Sequence, residues 1–122
     1  MRSKRKNILF VENDRFIAEA IKDMLERHDF EVTVSSRSTE ALILIQSQPE
    51  IFDVVVSALN LPNLNGVELA KEVHDVRTDM PFILCTGDGR IKEDEIKKLG
   101  VIKKIFYKPF SLVDFIEEIK IC

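Results

Sequence analysis

The sequence is poor in the features that mark most specialised protein classes. It holds two cysteines in 122 residues, Cys85 and Cys122, too few for a disulfide framework. Cys85 lies inside an apolar run and reads as a small core residue, so a reducing cytoplasm is the expected compartment. No apolar run approaches the ~20 residues needed to span a bilayer. The charged start has no small-residue cleavage site after it. Net charge is −3 with the two signs interspersed, which excludes a global field drawing in nucleic acid or an anionic membrane. The one basic cluster, Arg2, Lys4, Arg5 and Lys6, is expected to be a frayed, solubilising terminus over residues 1–6. There is no G-x-G-x-x-G, no P-loop and no nucleophile–base pair. His28 and His74 have no partner at metal-ligand spacing.

What is present is an alternation. A chain of 122 residues suits one domain with a single core, residues 1–122. Five short apolar runs recur, Ile8 to Val11, Val32 to Val34, Val54 to Val56, Phe82 to Cys85 and Ile105 to Tyr107. The first, third and fourth are continuous, as in parallel strands buried on both faces. Between them lie segments of helical period. The first, capped by Asp14, carries Phe16, Ile17, Ala20, Ile21, Met24 and Leu25 as its stripe. The second starts at Ser38 or Thr39 and stops before Pro49, with Ala41, Leu42 and Ile45 inward. The third follows Gly66 with Val67, Leu69, Ala70 and Val73. The fourth, Ile91 to Leu99, is short and charged, with Ile91, Ile96 and Leu99 as its only core stripe, and is expected to be the most loosely held. The last starts at Ser111 and is expected to bury Leu112, Phe115, Ile116 and Ile119. Such alternation implies an α/β fold: a flavodoxin-like, doubly wound five-stranded parallel sheet, order 2-1-3-4-5, with five helices on two faces.

In these folds ligands sit beyond the carboxyl ends of the strands. The residues there are Glu12-Asn13-Asp14, Ser57-Ala58-Leu59-Asn60-Leu61-Pro62, Thr86-Gly87 and Tyr107-Lys108-Pro109. Each motif alone has a bland explanation as a cap, a turn or a strand end. Four in order over nearly the whole chain resemble the receiver domain of bacterial response regulators, of the chemotaxis-receiver type. In that family the third strand ends in the aspartate that accepts a phosphoryl group. Here that position holds Ala58.

The resemblance implies roles position by position. Phosphoryl transfer to a carboxylate needs charge neutralised on the incoming group, by Mg²⁺ and by a lysine, while a hydroxyl binds another oxygen. Glu12 and Asn13 match the acidic pair that holds the metal, and Asn60 the residue whose loop carbonyl completes it. Ala58 matches the acceptor, and Thr86 and Lys108 match the phosphoryl-contacting hydroxyl and lysine. Both lost carboxylates, at 13 and 58, fall on the metal-and-acceptor half, so no cofactor is required and any Mg²⁺ binding is expected to be weak. The switch region falls at Ile105 and Tyr107. The usual aromatic three residues before the lysine is here Ile105, so an aromatic switch is not expected.

The expected function is a receiver domain of a two-component pathway that works by protein–protein contact, with no catalysis and no phosphorylation at position 58. Its partners would be a sensor histidine kinase or a downstream protein. The fourth helix, fifth strand and fifth helix would be the contact face, with a homodimer possible there and no direct contact with nucleic acid or membrane. An ordinary phospho-receiver carrying an engineered Asp→Ala change at 58 stays open, although Asn13 is a second loss that such a change would not need. A small α/β enzyme or nucleotide binder is the reading from another class, and it lacks every motif that would carry it.

Overall fold

The computed structural model describes residues 5–122. Ten elements alternate along the chain: β1 (Lys6–Val11), α1 (Arg15–Arg27), β2 (Phe30–Ser35), α2 (Ser38–Ser47), β3 (Val54–Ala58), α3 (Gly66–Val76), β4 (Phe82–Thr86), α4 (Glu93–Lys98), β5 (Lys104–Tyr107) and α5 (Leu112–Lys120). The strands form one parallel sheet in the order β2-β1-β3-β4-β5, the topology expected from the alternation. The three continuous apolar runs are the three central strands. The outer strands β2 and β5 keep exposed positions, because an edge strand is covered less completely.

Side chains alternate across the sheet and divide the core in two. Ile8, Phe10, Val54, Val56, Ile83, Cys85 and Phe106 pack under α1 and α5. Leu9, Val11, Val55, Phe82, Leu84 and Ile105 pack under α2 and α3, with Ile91 just before α4 and Ile96 within it lying partly buried on that side.

Four expectations need correction. The basic terminus does not extend to residue 6: Lys6 opens β1, and its ammonium donates to the carbonyls of Ile119 (3.1 Å) and Lys120 (2.8 Å) at the end of α5. Arg2 and Lys4 lie outside the described residues. On α1 the inward row runs through buried Ala18 and Leu25 and partly buried Ile21, and Ile17, expected in the stripe, lies at its margin and is 38% exposed. Phe16 is 86% exposed and Ala20 is exposed. Each stands two residues from Ala18, roughly 200° around the helix and so on its far side. Leu112 is 49% exposed, because the buried row of α5 is Phe115, Ile116 and Ile119. Leu99, 44% exposed, lies beyond the last turn of α4. That helix has six residues, no buried side chain and no side-chain cap, which is the loose hold its charged sequence implies.

Candidate functional site

Strand register brings four separated stretches to one edge of the sheet. Val11 pairs with Ser57 and with Ser35, Ala58 with Cys85, and Thr86 with Tyr107. Glu12, Ala58, Thr86 and Lys108 therefore stand at the ends of β1, β3, β4 and β5. Main-chain hydrogen bonds hold the loops that leave this edge. Glu12 N–H donates to Ser35 (3.1 Å), Leu59 N–H to Cys85 (3.0 Å) and Lys108 N–H to Thr86 (2.8 Å).

The loop from β3 to α3 is held with particular closeness. Gly66 N–H donates to the Leu59 carbonyl at 2.8 Å. A Cβ on Gly66 would lie 2.4 Å from the Ala58 carbonyl oxygen and 2.5 Å from Leu84 Cδ1, so only glycine fits there. Asn65 caps α3 reciprocally with Glu68, each accepting the other's main-chain N–H at 2.9 Å. Asn63 takes a left-handed φ of 71°, a conformation asparagine tolerates. Ser38, at the start of α2, is fully buried; its hydroxyl donates to the Pro62 carbonyl (3.0 Å) and accepts from Leu64 N–H (3.2 Å). In the sequence Ser38 reads as a helix start. Its clip on this loop has no local signal, since the partner is brought in by the fold.

The side chains differ in setting. Ala58 is 8% exposed and offers no polar atom. Glu12 is buried, with one carboxylate oxygen accepting Asp14 N–H at 3.0 Å and the other 3.7 Å from Lys108 Nζ. Asp14 points away from this edge and caps α1, accepting from Phe16 (3.0 Å) and Ile17 (3.1 Å) N–H groups. Asn13 and Asn60 are exposed, and Asn60 faces an open cleft shared with Gly87, Asp88 and Arg90. Buried Thr86 turns its hydroxyl to accept Asp88 N–H at 3.0 Å. Beside it, burial pushes the Cys85 thiol up to about 12, with Lys108 pulling it down and Glu12 adding to the rise. Among the described residues, no three His, Cys, Asp or Glu side chains converge on a cation site.

Ile105 and Tyr107 share one face of β5. Ile105 is buried under the α2 and α3 side, while Tyr107 is half-buried and donates its hydroxyl to Glu93 of α4 at 2.6 Å. That bond pushes Tyr107 up to about 12, helped by burial and by the charge of Glu93. It also lowers Glu93, together with Lys97. Phe106 faces the opposite side and stacks at 5.4 and 5.5 Å with Phe110 and Phe115. The Tyr107–Glu93 link is not readable from sequence, where Tyr107 is only a strand-edge residue.

The family model described as "Response regulator receiver domain" matches residues 8–120. This chain is a receiver domain. It is 25% identical to the response regulator receiver protein CpdR of Brucella abortus, over 94% of each chain. It is also 32% identical over 83 residues to the two-component response regulator ARR14 of Arabidopsis thaliana, covering 68% of this chain and 22% of that one. The chain thus spans about a fifth or less of the first plant relatives it matches, 22% and 16%. Among solved structures it resembles a receiver domain protein from Clostridium thermocellum (TM-score 0.88, 26% identity, 94% of this chain and 91% of that one). The non-phosphorylated HemR receiver domain from Leptospira biflexa is similar at TM-score 0.83 and 30% identity, over 95% and 92% of the two chains. No helix among the described residues of the receiver is long and apolar enough to cross a membrane.

Proposed function

We propose that this receiver domain signals through protein contact alone and takes no phosphoryl group at position 58. One observation carries the reading: Ala58, at the end of β3 in line with Glu12, Thr86 and Lys108, has a methyl group where the acceptor needs a nucleophilic oxygen. Thr86 and Lys108 are the phosphoryl-contacting positions left without a phosphoryl group, and catalysis has no part in the reading. Magnesium has none either. The ion takes one or two carboxylates plus phosphate oxygens. Here Glu12 is the only matched position with a carboxylate, and its oxygens are engaged by Asp14 N–H and faced by Lys108. Glu12, Asn13 and Asn60, with one carboxylate among them, do not fit the ion.

The partners under this reading are proteins of a two-component pathway in the cytoplasm, a sensor histidine kinase or a downstream protein, or a second copy of the chain. The contact face is α4, β5 and α5. It carries a mixed-charge surface in which Lys103 pairs with Glu118 at 3.1 Å and Glu117 with Lys120 at 3.8 Å, an arrangement that favours selectivity over raw affinity. Tyr107 and Glu93 tie α4 to this face, and Ile105 beneath it supplies packing in place of an aromatic switch. The test is intact mass after incubation with Mg²⁺ and a small-molecule phosphodonor. The unmodified chain is expected to gain nothing, and a stable gain on it would overturn the proposal. The Ala58→Asp variant separates the origins of Ala58. One added phosphoryl group would identify a working site from which only the acceptor was removed, the engineered alternative included. No gain would identify a pocket already committed to binding.

A further inference from the structure

Glu12 raises a question of charge that the lost acceptor leaves unanswered. Its side chain is 6% exposed, and a buried carboxylate is costly unless it is paired. Three groups could answer it. Asp14 N–H accounts for one oxygen at 3.0 Å. The Asp14 carboxylate would add charge of the same sign, and it is turned outward to cap α1. That leaves Lys108, whose ammonium stands 3.7 Å from the other oxygen.

Lys108 is well placed to stay there. Its main chain is anchored to Thr86 by a 2.8 Å hydrogen bond, and its side chain, 38% exposed, runs beside a small slot walled by Phe10, Ile21, Cys85 and Phe115. A long cationic side chain can lay its stem along such apolar walls while the charge reaches a polar mouth. The walls also thin the screening between ammonium and carboxylate. Ala58 supplies no second carboxylate, Asp88 of the neighbouring loop is held by Arg90 at 3.1 Å, and among the described residues the carboxylate within ion-pair reach of Lys108 is that of Glu12.

We infer that Lys108 is the resident cation of this site: it occupies, at Glu12, the electrostatic place a divalent ion would need, and thereby closes the site to divalent metals. The inference rests on Ala58 standing at the acceptor position only in the sense that this is where a metal would otherwise be sought. An approaching divalent ion would meet the ammonium at about 4 Å. Even with water-like screening, repulsion at that distance costs on the order of ten- to thirtyfold in affinity.

The experiment is a Mn²⁺ titration followed by paramagnetic broadening of backbone amide signals, on the full chain and on Lys108→Met, Lys108→Arg and Glu12→Gln/Lys108→Met. The full chain at millimolar Mn²⁺ should show no selective broadening at residues 12–14, 58–60 and 86–88. Lys108→Met should broaden those residues and bind about tenfold more tightly or better. Lys108→Arg, which keeps the charge, should not, and removing Glu12 as well should abolish the gain. Selective broadening in the unmodified chain equal to that of Lys108→Met would overturn the inference, as would a folded Lys108→Met that gains nothing. The amide spectrum itself reports folding, and Lys108→Gln replaces the methionine variant if that one is not folded. Phosphorylation is not read, so this test and the mass measurement fail independently.

Discussion

Replacing Gly66 by alanine asks whether the closeness of α3 to the end of β3 governs this receiver's site. The added methyl would meet the Ala58 carbonyl at 2.4 Å, Leu84 Cδ1 at 2.5 Å and Leu59 Cα at 3.0 Å. Leu84 can turn, but two of the three atoms are main chain of the loop itself. Relief therefore means moving α3 away and weakening the 2.8 Å bond from Gly66 N–H to Leu59. Overpacking of this kind costs about 1–3 kcal/mol. The smaller unfolded-state entropy of alanine returns up to about 1 kcal/mol. With backbone rather than side chain in the way, the upper part of the range applies, and the net loss should be about 2 kcal/mol. In urea, with a slope of about 1–3 kcal/mol per molar, the midpoint should fall by about 1 M. Gly89→Ala is the control, because a Cβ there meets nothing within 4 Å, and it should stay within about 0.5 kcal/mol of the parent. Gly100→Ala has open space but a φ of +71°, so its cost of about 1 kcal/mol would come from conformation alone. A Gly66→Ala midpoint equal to or above the parent's would refute the close-approach argument.

Tyr107 is the single tyrosine, so absorbance of tyrosinate reads it without interference. Its midpoint should lie near 12 instead of 10, and should return toward 10 in Glu93→Gln. Because the folded value is raised, the stabilisation is full below pH ~10 and is lost as pH rises toward 12; a midpoint of 10 in the native protein would remove the Tyr107–Glu93 link. Cys85, buried and with its thiol raised to about 12, should resist a thiol reagent until the protein unfolds, while half-buried Cys122 reacts first. Equal native rates for the two would contradict the packing of β4.

The sequence by itself determined the order of elements, their parallel arrangement and the edge of the sheet where chemistry would be sought. These are legible because they rest on local patterns. Continuous apolar runs announce the central strands, Asp14 and Ser111 sit where helices need caps, and Gly66 stands where the third helix opens. Even the loose hold of α4 is visible in its charges. Only the tertiary structure decided which way ambiguous side chains turn. Phe16 and Leu112 are as apolar as their neighbours, yet they face water because the neighbouring helices and the sheet claim the other side of each helix. Partners far apart along the chain are likewise invisible in it. Ser38 to the β3–α3 loop, Tyr107 to Glu93, and Lys108 to Glu12 are each a single polar contact, created when strand register brings distant residues to one edge. A periodic pattern sums many residues and survives in one dimension, whereas a lone ion pair depends on the rotamers of two side chains in a space that folding alone defines.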